Sequence, residues 1–430
     1  MPDKLRILFA TTEYLPWAGG IATYLGCLAP ALAARGHEVH VLWCGLNGPP
    51  EETLEQGVYV HRRPYVEIRG FYRLQRHIHA PETLLRIQIG VSTYAWQRRL
   101  GIDFDVIEIP DWGAHGWVLA LFHRKPILAQ LHTPWALLLG PNDIPADMDS
   151  CFASAFEHFA VHCADGISSS SALLADALRG IGWLRGKEVP VIPLPIDWRA
   201  LAGVGPAHES PPTVLFVGRI ERLKAPETLA EALSIIRRKI PQARAVFLGS
   251  SRGERDGLPY VDWIKKSMGD GCEFVGKVGK HELVQYLNQS RVLAAPSRYD
   301  GFSMVAVEAL AAGRPVVVSS ATGVARLVQE IEGGDVVPPG DPQGLALALM
   351  PFLEDAGHAT KTGERARAAV QTMLDPETIV AARERIYHAA IRSFAQSRAK
   401  QSLLGPSLGF LGRLKNFKPA NPRILSHEAD

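Results

Sequence analysis

Short apolar runs alternate with amphipathic segments along most of the chain. Leu5–Ala10 is a short, largely apolar run, Ile21–Ala34 repeats apolar residues at helical spacing, and Glu38–Trp43 is a second run of strand length. A strand, a glycine-bearing loop, a helix and another strand form a βαβ unit, which predicts a parallel sheet. Further strands are predicted in this half at Asp105–Ile109, Pro126–Leu131, Gly166–Ser170 and Val189–Leu194.

The same pattern restarts in the second half, after a segment without periodicity. Trp198–Pro212 is rich in proline, glycine and small residues, which is typical of an interdomain linker. Strands are predicted beyond it at Val214–Val217, Ala245–Leu248, Glu273–Val275, Val292–Ala295 and Pro315–Ser319, with helices between them. The chain therefore has an α/β pattern with two doubly wound parallel sheets, and ligands of such sheets bind at the carboxyl ends of the strands.

The predicted divisions follow from this pattern. They are a first domain at residues 1–197, the linker at 198–212, a second domain at 213–375, a last helix at 376–395 and a basic, flexible tail at 396–430. A length of 430 residues suits two or three domains. Two facing sheets would enclose one ligand site in the cleft between them.

Composition narrows the classes of function. The net charge of +2 argues against nucleic-acid binding by the chain as a whole. The 5 cysteines are scattered, so they suggest neither a disulfide framework nor a zinc site. No stretch is apolar enough to predict a membrane span, and the first residues predict a strand instead of a signal peptide. We therefore expect a cytoplasmic protein, which can also act at the inner face of the cytoplasmic membrane.

Four segments of the second half carry a family resemblance. They are Phe216–Leu233 (FVGRIERLKAPETLAEAL), Val246–Ser251 (VFLGSS), Cys272–Leu283 (CEFVGKVGKHEL) and Pro296–Ser319 (PSRYDGFSMVAVEALAAGRPVVVS). They closely resemble the retaining glycosyltransferases of family four, which have the GT-B fold. The resemblance implies two Rossmann-like domains across a donor cleft, with a C-terminal helix crossing back to the first domain. It also implies a nucleotide-sugar donor and a same-face displacement in which the leaving phosphate accepts the acceptor's proton.

Arg219 and Lys224 are the predicted phosphate-binding pair. Both follow the strand Val214–Val217, where arginine offers a planar fork to phosphate oxygens and lysine a point charge. Their spacing resembles the family's pair that clamps the donor diphosphate. The resemblance adds Gly218 and Val278 to the donor-binding residues.

The segment Asp300–Ser303 and the helix after it form the second part of the predicted donor site. The start of a helix presents unpaired N–H groups and the positive end of its dipole to a diphosphate, and Gly301 allows close approach. By resemblance, Gly301, Phe302, Ser303 and Met304 bind the donor, Glu308 binds ribose hydroxyls, and Asp300 binds hydroxyls of the transferred sugar. The family usually has glutamate at position 300 and glycine at position 303. Because aspartate is one methylene shorter than glutamate, Asp300 leaves open which sugar is transferred and whether the activity is altered.

The first half contributes candidates that lie after predicted strands. Gly19 and Gly20 resemble the family's glycine loop, and His132 resembles the histidine that contacts the donor sugar near its anomeric carbon. Asp111 and His115 are candidates for contact with acceptor hydroxyls, with Asp111 as a candidate base. We predict Arg219, Lys224, Asp300 and His132 to be the catalytic residues.

Neither a metal nor a cofactor is expected. Asp103-Phe104-Asp105 and Asp147-Met148-Asp149 match the short D-x-D pattern of another glycosyltransferase fold, but Arg219 and Lys224 can replace a divalent ion electrostatically. Asp300 and Glu308 suit hydroxyl binding at two ends of a donor better than the paired roles of a glycosidase. Two alternatives stay open: a nucleotide-sugar epimerase of the same fold and a non-catalytic nucleotide-sugar-binding protein.

The acceptor side includes a basic, aromatic segment. Its arginines are Arg62, Arg63, Arg69, Arg73, Arg76, Arg86, Arg98 and Arg99, and its larger apolar residues include Tyr65, Phe71, Tyr72 and Leu74. Such a segment either contacts an anionic membrane or phosphorylated lipid, or is a solvated insertion. Arg413, Lys415 and Lys418 of the tail, near Phe410 and Leu411, can assist membrane contact. We expect a nucleoside-diphosphate sugar and a glycan or lipid-linked acceptor as partners, with no nucleic acid.

Overall fold

A computed structural model describes residues 4–16, 19–71, 77–122, 124–268 and 271–404. The chain divides into two compact units. The first unit comprises Met1–Pro195 with Pro376–Asp430, and the second comprises Ile196–Asp375. Each unit is built on a largely parallel sheet with helices, which confirms the predicted α/β fold with two parallel-sheet domains.

The first unit contains a sheet of 7 strands in the order β3-β4-β2-β1-β5-β6-β7. The strands are β1 (Arg6–Thr11), β2 (Glu38–Cys44), β3 (Glu51–Glu55), β4 (Val58–Arg63), β5 (Val106–Pro110), β6 (Ile127–Leu131) and β7 (Gly166–Ser169). All pairs are parallel except β3 with β4, which form an edge hairpin. Strands β5 and β6 are buried along their whole length, as expected for parallel strands covered on both faces.

Seven described α-helices accompany this sheet. They are α1 (Gly20–Ala34), α2 (Pro81–Leu100), α3 (Trp117–Phe122), α4 (Trp135–Leu138), α5 (Met148–His162), α6 (Ala172–Gly180) and the last helix of the chain, Pro376–Leu404. A short 3-10 turn at Trp112–Ala114 follows β5. Leu8, Ile109 and Leu131 of the sheet belong to the buried core, together with Leu174 of α6.

The second unit contains a parallel sheet of 6 strands in the order β12-β9-β8-β13-β14-β15. These strands are β8 (Thr213–Val217), β9 (Arg244–Leu248), β12 (Cys272–Gly276), β13 (Val292–Ala295), β14 (Val316–Ser319) and β15 (Gly334–Val337), with a separate hairpin of β10 (Glu254–Arg255) and β11 (Leu258–Pro259). The helices are α7 (Pro226–Ile236), α8 (Tyr260–Met268), α9 (Lys280–Asn288), α10 (Met304–Ala311), α11 (Ala325–Glu330), α12 (Pro342–Glu354) and α13 (Ala356–Met373).

The last helix, α14 (Pro376–Leu404), belongs to the first unit. Glu384 attaches it there, because its carboxylate accepts from Arg35 Nε at 2.8 Å and contacts His37 Nε2 at 2.9 Å. The helix extends through Leu404, so residues 396–404 of the predicted flexible tail are helical. The remaining tail, including Arg413, Lys415 and Lys418, lies outside the described residues.

Two sequence predictions of local structure are wrong. Val189–Leu194 forms no strand, and only Val191 makes an isolated bridge, to Ser169. Residues 198–212 are not a separate linker, because the second unit begins at Ile196 and includes them.

Burial explains why this segment belongs to the second unit. Leu201, Val204 and Ala207 are buried, and the 3-10 turn Trp198–Leu201 packs against α10. Arg314, itself buried, donates to the carbonyl oxygen of Gly205 at 2.8 Å. The segment rich in proline and glycine is therefore packed against the second unit and is not a flexible interdomain linker.

No helix among the described residues is both long and apolar enough to cross a membrane.

Candidate active site

The connection after β8 positions the predicted phosphate-binding residues. Gly218 follows the strand with φ +157°, and Gly249 after β9 has φ +146°. A Cβ atom on Gly249 would lie 1.9 Å from the carbonyl oxygen of Gly218, so only glycine allows these two strand ends to approach. Arg219 comes next, and Lys224 ends a 3-10 turn directly before α7.

Each of the two cations has a carboxylate partner in the second unit. Lys224 Nζ lies 2.7 Å from Asp300 Oδ2, and Arg219 Nη2 lies 2.7 Å from Glu221 Oε1. The Arg219 side chain is 47% exposed, so its guanidinium remains accessible to a ligand. The structure therefore brings Lys224 to Asp300 as expected for one site, and it adds Glu221, which the sequence did not identify.

Asp300 holds the loop before α10. Its Oδ1 accepts from the backbone N–H of Ser303 at 3.1 Å and from that of Phe302 at 3.3 Å. The Asp300 carboxylate, which is predicted to bind sugar hydroxyls, therefore already accepts two backbone hydrogen bonds and forms an ion pair with Lys224. The loop itself is fixed to the region after β14, because Asp300 N donates to Ala321 O at 3.1 Å.

The helix start after this loop keeps free N–H groups. Ser303 is the N-cap of α10, and its side chain makes no capping bond. The first three amides, of Met304, Val305 and Ala306, have no side-chain acceptor in the described part of the chain. These amides can therefore donate hydrogen bonds to an anion, as predicted for the start of this helix. Gly301, Phe302 and Ser303 beside them are buried.

Ser303 has an unfavourable backbone conformation. Its φ is 74°, in the left-handed region where the family usually has glycine. Its hydroxyl oxygen is buried and has no hydrogen-bond partner among the described residues. Serine is therefore strained and unsatisfied here in the absence of a ligand.

We expect Ser303→Gly to stabilise the protein by about 1 kcal/mol, because glycine removes the left-handed strain and the unsatisfied hydroxyl. Urea unfolding followed by circular dichroism measures the change. Ser297→Gly, at a buried serine without a positive φ, is the control and should lower stability. If Ser303→Gly loses as much stability as Ser297→Gly, the backbone of Ser303 is not strained in the native protein.

Glu308 lies in the second turn of α10, and its side chain is half-buried. Burial raises the pKa of Glu308 to about 7, Lys280 lowers it, and Asp197 raises it. Lys280 and Asp197 pair with each other at 3.3 Å. A half-buried carboxyl can accept hydrogen bonds from the hydroxyls of a ligand.

The raised pKa of Glu308 gives a pH prediction. The folded state favours the protonated form of Glu308. The contribution of this group to the free energy of unfolding is therefore fully present below its ordinary pKa of 4.5 and is lost as pH rises through about 7. Glu308→Gln cannot ionise, so its stability relative to wild type should increase between pH 5 and pH 8 by up to about 2 kcal/mol. Melting temperatures at both pH values measure this difference, and a difference that is independent of pH would contradict the shift.

Two further donor-site predictions lie nearby in the sequence. Val278 is half-buried in the loop between β12 and α9, and Met304 is the first residue of α10.

Gly19 and Gly20 begin α1 in the first unit. Gly19 is the N-cap with an extended backbone, and Gly20 is exposed as the first helical residue. A Cβ atom on Gly19 would lie 2.5 Å from Glu13 Oε2, so a side chain there would displace Glu13. Trp17 and Ala18 of the same loop lie outside the described residues.

His132 follows β6, as predicted, at the carboxyl end of the sheet. Its backbone N–H donates to Asp111 Oδ1 at 2.9 Å, and its ring meets the Tyr24 ring edge-on with centroids 5.2 Å apart. Burial, with a further contribution from the Arg383 charge, lowers the pKa of His132 to about 3. The imidazole is therefore neutral at physiological pH and offers one donor and one acceptor.

Contact of Asp111 and His115 with acceptor hydroxyls stays a prediction, and the structure encloses both residues in the first unit. Both residues are 0% exposed. Asp111 Oδ1 accepts from the N–H groups of Trp112 and His132, so it fixes the loops after β5 and β6. His115 Nδ1 contacts Thr93 Oγ1 at 3.2 Å inside the unit. Burial raises the pKa of Asp111 to about 7. Asp111 Oδ2 and His115 Nε2 have no hydrogen-bond partner among the described residues.

Two family models match the chain, one on each half. The model of glycosyltransferase family 4 matches residues 18–198, and that of glycosyl transferases group 1 matches residues 201–369. The chain belongs to glycosyltransferase family four.

Relatives and solved structures agree with this family-four glycosyltransferase in length and fold. Glycogen synthase of Mycobacterium tuberculosis is 28% identical over 428 residues, which cover 94% of this chain and 99% of that protein. Sucrose-phosphate synthase from Thermosynechococcus elongatus superposes with a TM-score of 0.70 at 23% identity, over 89% of this chain and 98% of that one. Anabaena HepE in complex with UDP-glucose has a TM-score of 0.63 at 20% identity, over 92% and 100%. These structures show the GT-B fold.

The D-x-D aspartates of this family-four glycosyltransferase have structural partners. Asp103 pairs with Lys125, and Asp105 accepts from the backbone N–H of Arg6 at 2.7 Å. Asp147 caps α5, and Asp149 accepts from the first amides of α2. Among the described residues, no group of three or more histidine, cysteine, aspartate or glutamate side chains is arranged to hold a metal ion.

Three of the described arginines in the predicted basic segment are held in ion pairs. Arg62 pairs with Glu55, Arg63 pairs with Glu52, and Arg86 is fully buried. Arg69, Arg98 and Arg99 are exposed. Tyr72, Arg73, Leu74 and Arg76 lie outside the described residues.

A buried polar cluster behind His132 was missed by the sequence interpretation. Glu108 of β5 accepts from Tyr24 of α1 and from Tyr387 of α14, each at 2.7 Å, and Arg383 of α14 pairs with it. The only sequence signal was a glutamate in the middle of an apolar strand. A charge at such a position needs a buried partner, but nothing in the sequence showed that the partner comes from α14.

Proposed function

We propose that this protein transfers a hexosyl group from a nucleoside-diphosphate sugar to a hydroxyl of a glycan or lipid-linked acceptor, with retention and without a metal. The observation that carries the proposal is the position of Lys224. Its ammonium pairs with Asp300 in the loop that leads to the free amides of α10, while Arg219 lies five residues earlier in the same connection. The second unit thus combines two cations and a helix terminus.

This combination suits a departing diphosphate. Cleavage of the sugar–phosphate bond develops negative charge on the leaving oxygen, and fixed cations and backbone amides lower the energy of that charge. Before the donor binds, Asp300 and Glu221 neutralise Lys224 and Arg219. The donor diphosphate exchanges these carboxylate contacts for phosphate contacts, which are charge-assisted hydrogen bonds of the same kind.

Two further side chains complete the proposed donor contacts. Glu308 lies one turn beyond the free amides, where its carboxyl can accept from ribose hydroxyls. His132 remains neutral and can hydrogen-bond the transferred sugar. In the proposed retaining displacement, the leaving phosphate accepts the proton of the acceptor hydroxyl as the new bond forms. The two cations take the electrostatic role of a divalent ion.

UDP-glucose is the first donor to test. HepE of similar fold has been solved with UDP-glucose, and glycogen synthase is similar over nearly the whole chain. For this chain we likewise propose a glycan acceptor. The protein would then act in the synthesis of a cell-surface polysaccharide or glycolipid.

Thermal-shift measurements with UDP, GDP, ADP and their hexose conjugates test the donor site. A nucleotide at ~100 times its dissociation constant should stabilise the fold by roughly 2.7 kcal/mol. We expect one nucleoside diphosphate and its sugar to raise the melting temperature. If none does so, the assignment of the donor site is wrong.

Peripheral contact with the inner face of the cytoplasmic membrane is a separate proposal. Arg69, Arg98 and Arg99 supply exposed positive charge in the described part of the basic segment. Cosedimentation with phosphatidylglycerol vesicles should exceed that with phosphatidylcholine vesicles and should decrease at high salt. Equal binding to both kinds of vesicle would remove the membrane contact.

A further inference from the structure

We propose that Tyr24 and Glu108 are positioning residues for His132, and that Arg383 of the last helix holds Glu108 in place for this purpose. The inference rests on the proposed function, in which the His132 ring contacts the donor sugar. It assigns a role in the reaction to a buried cluster that the donor site does not contain. The cluster lies wholly within the first unit.

Glu108 is the centre of the cluster. The residue is 3% exposed, and each of its carboxylate oxygens accepts from a tyrosine hydroxyl at 2.7 Å. Oε1 accepts from Tyr24, and Oε2 accepts from Tyr387 and from Arg383. A buried carboxylate with three donors is fixed in position.

Arg383 connects this carboxylate to the sheet. Its Nη2 bonds Glu108, and its Nη1 donates to Ser168 Oγ at 2.6 Å and to Gln130 Oε1. Ser168 lies on β7 and Gln130 on β6, two residues before His132. One guanidinium from α14 therefore bridges three adjacent strands at the end of the sheet where His132 lies.

Tyr24 is the direct connection to the His132 ring. Its hydroxyl is held by Glu108, and its ring edge packs on the imidazole with an interplanar angle of 64°. The main chain of His132 is fixed separately, because its N–H donates to Asp111. The backbone and the ring of His132 thus have different supports. Loss of the Tyr24 support should change the ring orientation without moving the loop.

The Arg383 charge also affects the protonation of His132. It adds to burial in lowering the pKa of the imidazole, so the ring stays neutral. A neutral ring keeps one nitrogen able to accept a hydrogen bond from a sugar hydroxyl.

The two tyrosines provide a matched test. Tyr24→Phe and Tyr387→Phe each remove one hydroxyl that donates to Glu108 from a fully enclosed ring. Tyr24 packs against His132, whereas Tyr387 binds the other oxygen of the carboxylate. We expect Tyr24→Phe to lower kcat about tenfold, since small misplacements of a reacting group have effects of this order. The donor KM should change less than about twofold, and Tyr387→Phe should keep kcat within about twofold of wild type.

NMR of the histidine ring gives a readout that does not depend on turnover. With isotopically labelled histidine, the His132 signal is assigned by its absence in His132→Gln. We expect this signal to shift in Tyr24→Phe and to keep its position in Tyr387→Phe. Equal shifts and equal kcat losses in the two variants would show that the cluster is only structural, and would overturn the inference.

His132→Ala separates this inference from the proposed function. Unchanged glycosyl transfer in His132→Ala would show that the proposed role of His132 is wrong. An inactive His132→Ala, combined with identical behaviour of the two tyrosine variants, would refute the positioning role and leave the proposed function intact.

Discussion

Lys224→Ala is expected to lower kcat/KM for glycosyl transfer by about 100- to 1000-fold. Its ammonium pairs with Asp300 in the loop that leads to the free amides of α10. Removal of one preorganised group that stabilises developing charge has an effect of this order. Initial rates of nucleoside diphosphate release, measured with the donor that the thermal-shift panel identifies, give the ratio. The loss should appear in kcat as well as in KM, because the charge on the diphosphate grows in the transition state.

Lys239→Ala is the matched control for this variant. Lys239 also lies in the second unit and pairs with a carboxylate, Glu354 at 2.8 Å, but its side chain is 66% exposed and it is none of the predicted donor-binding residues. Its removal should leave kcat/KM unchanged. Equal activity in Lys224→Ala and Lys239→Ala would show that Lys224 is an ordinary surface lysine.

The second large effect concerns stability, at Arg86. Its guanidinium is fully buried, with Nε 3.1 Å from Glu157 Oε1, and it lies over the ring of Trp135 at 5.0 Å. Arg86→Met leaves the Glu157 carboxylate buried without its cation, which typically costs about 3–5 kcal/mol. We expect a much lower urea midpoint for the unfolding transition reported by tryptophan fluorescence.

Arg98→Met is the control on the same helix, since Arg98 is exposed near the end of α2. It should change stability by less than about 0.5 kcal/mol. If Arg86→Met has wild-type stability and binds anionic vesicles more weakly, Arg86 does not stabilise the fold through Glu157. It would then belong to a basic membrane-binding surface.

Most strand and helix positions in the second unit were predictable because its apolar runs are short, regular and separated by glycine or proline. Strand β15, helix α11 and the β10–β11 hairpin were not predicted. The first unit is less regular. The hairpin β3–β4 was missed, since EETLE has a polar composition and forms a strand only where Arg62 and Arg63 pair with Glu55 and Glu52. Helix α2 was also missed, because it buries Arg86, Ser92 and Gln97 where a helical pattern would show apolar residues.

The spacing of Asp300 and Glu308 indicated one site, and Asp300 lies in the loop before α10 while Glu308 lies within the helix. Their local bonding was not predictable. Asp300 ties down the backbone of Ser303 and pairs with Lys224, which depends on loops that are 76 residues apart in sequence. The Glu108–Arg383 pair joins residues 275 positions apart, so a sequence pattern can suggest that Glu108 needs a partner but not which residue it is.

The central claim is that this protein catalyses glycosyl transfer from a nucleotide sugar, and product analysis tests it most directly. Wild-type protein and Lys224→Ala are incubated with UDP-glucose, GDP-mannose or ADP-glucose and a panel of glycan and lipid acceptors, and the products are identified by NMR. We predict free nucleoside diphosphate and a glycoside that keeps the anomeric configuration of the donor, with wild type only. An epimerised donor, or a donor that binds and remains unchanged with every acceptor, would contradict the claim.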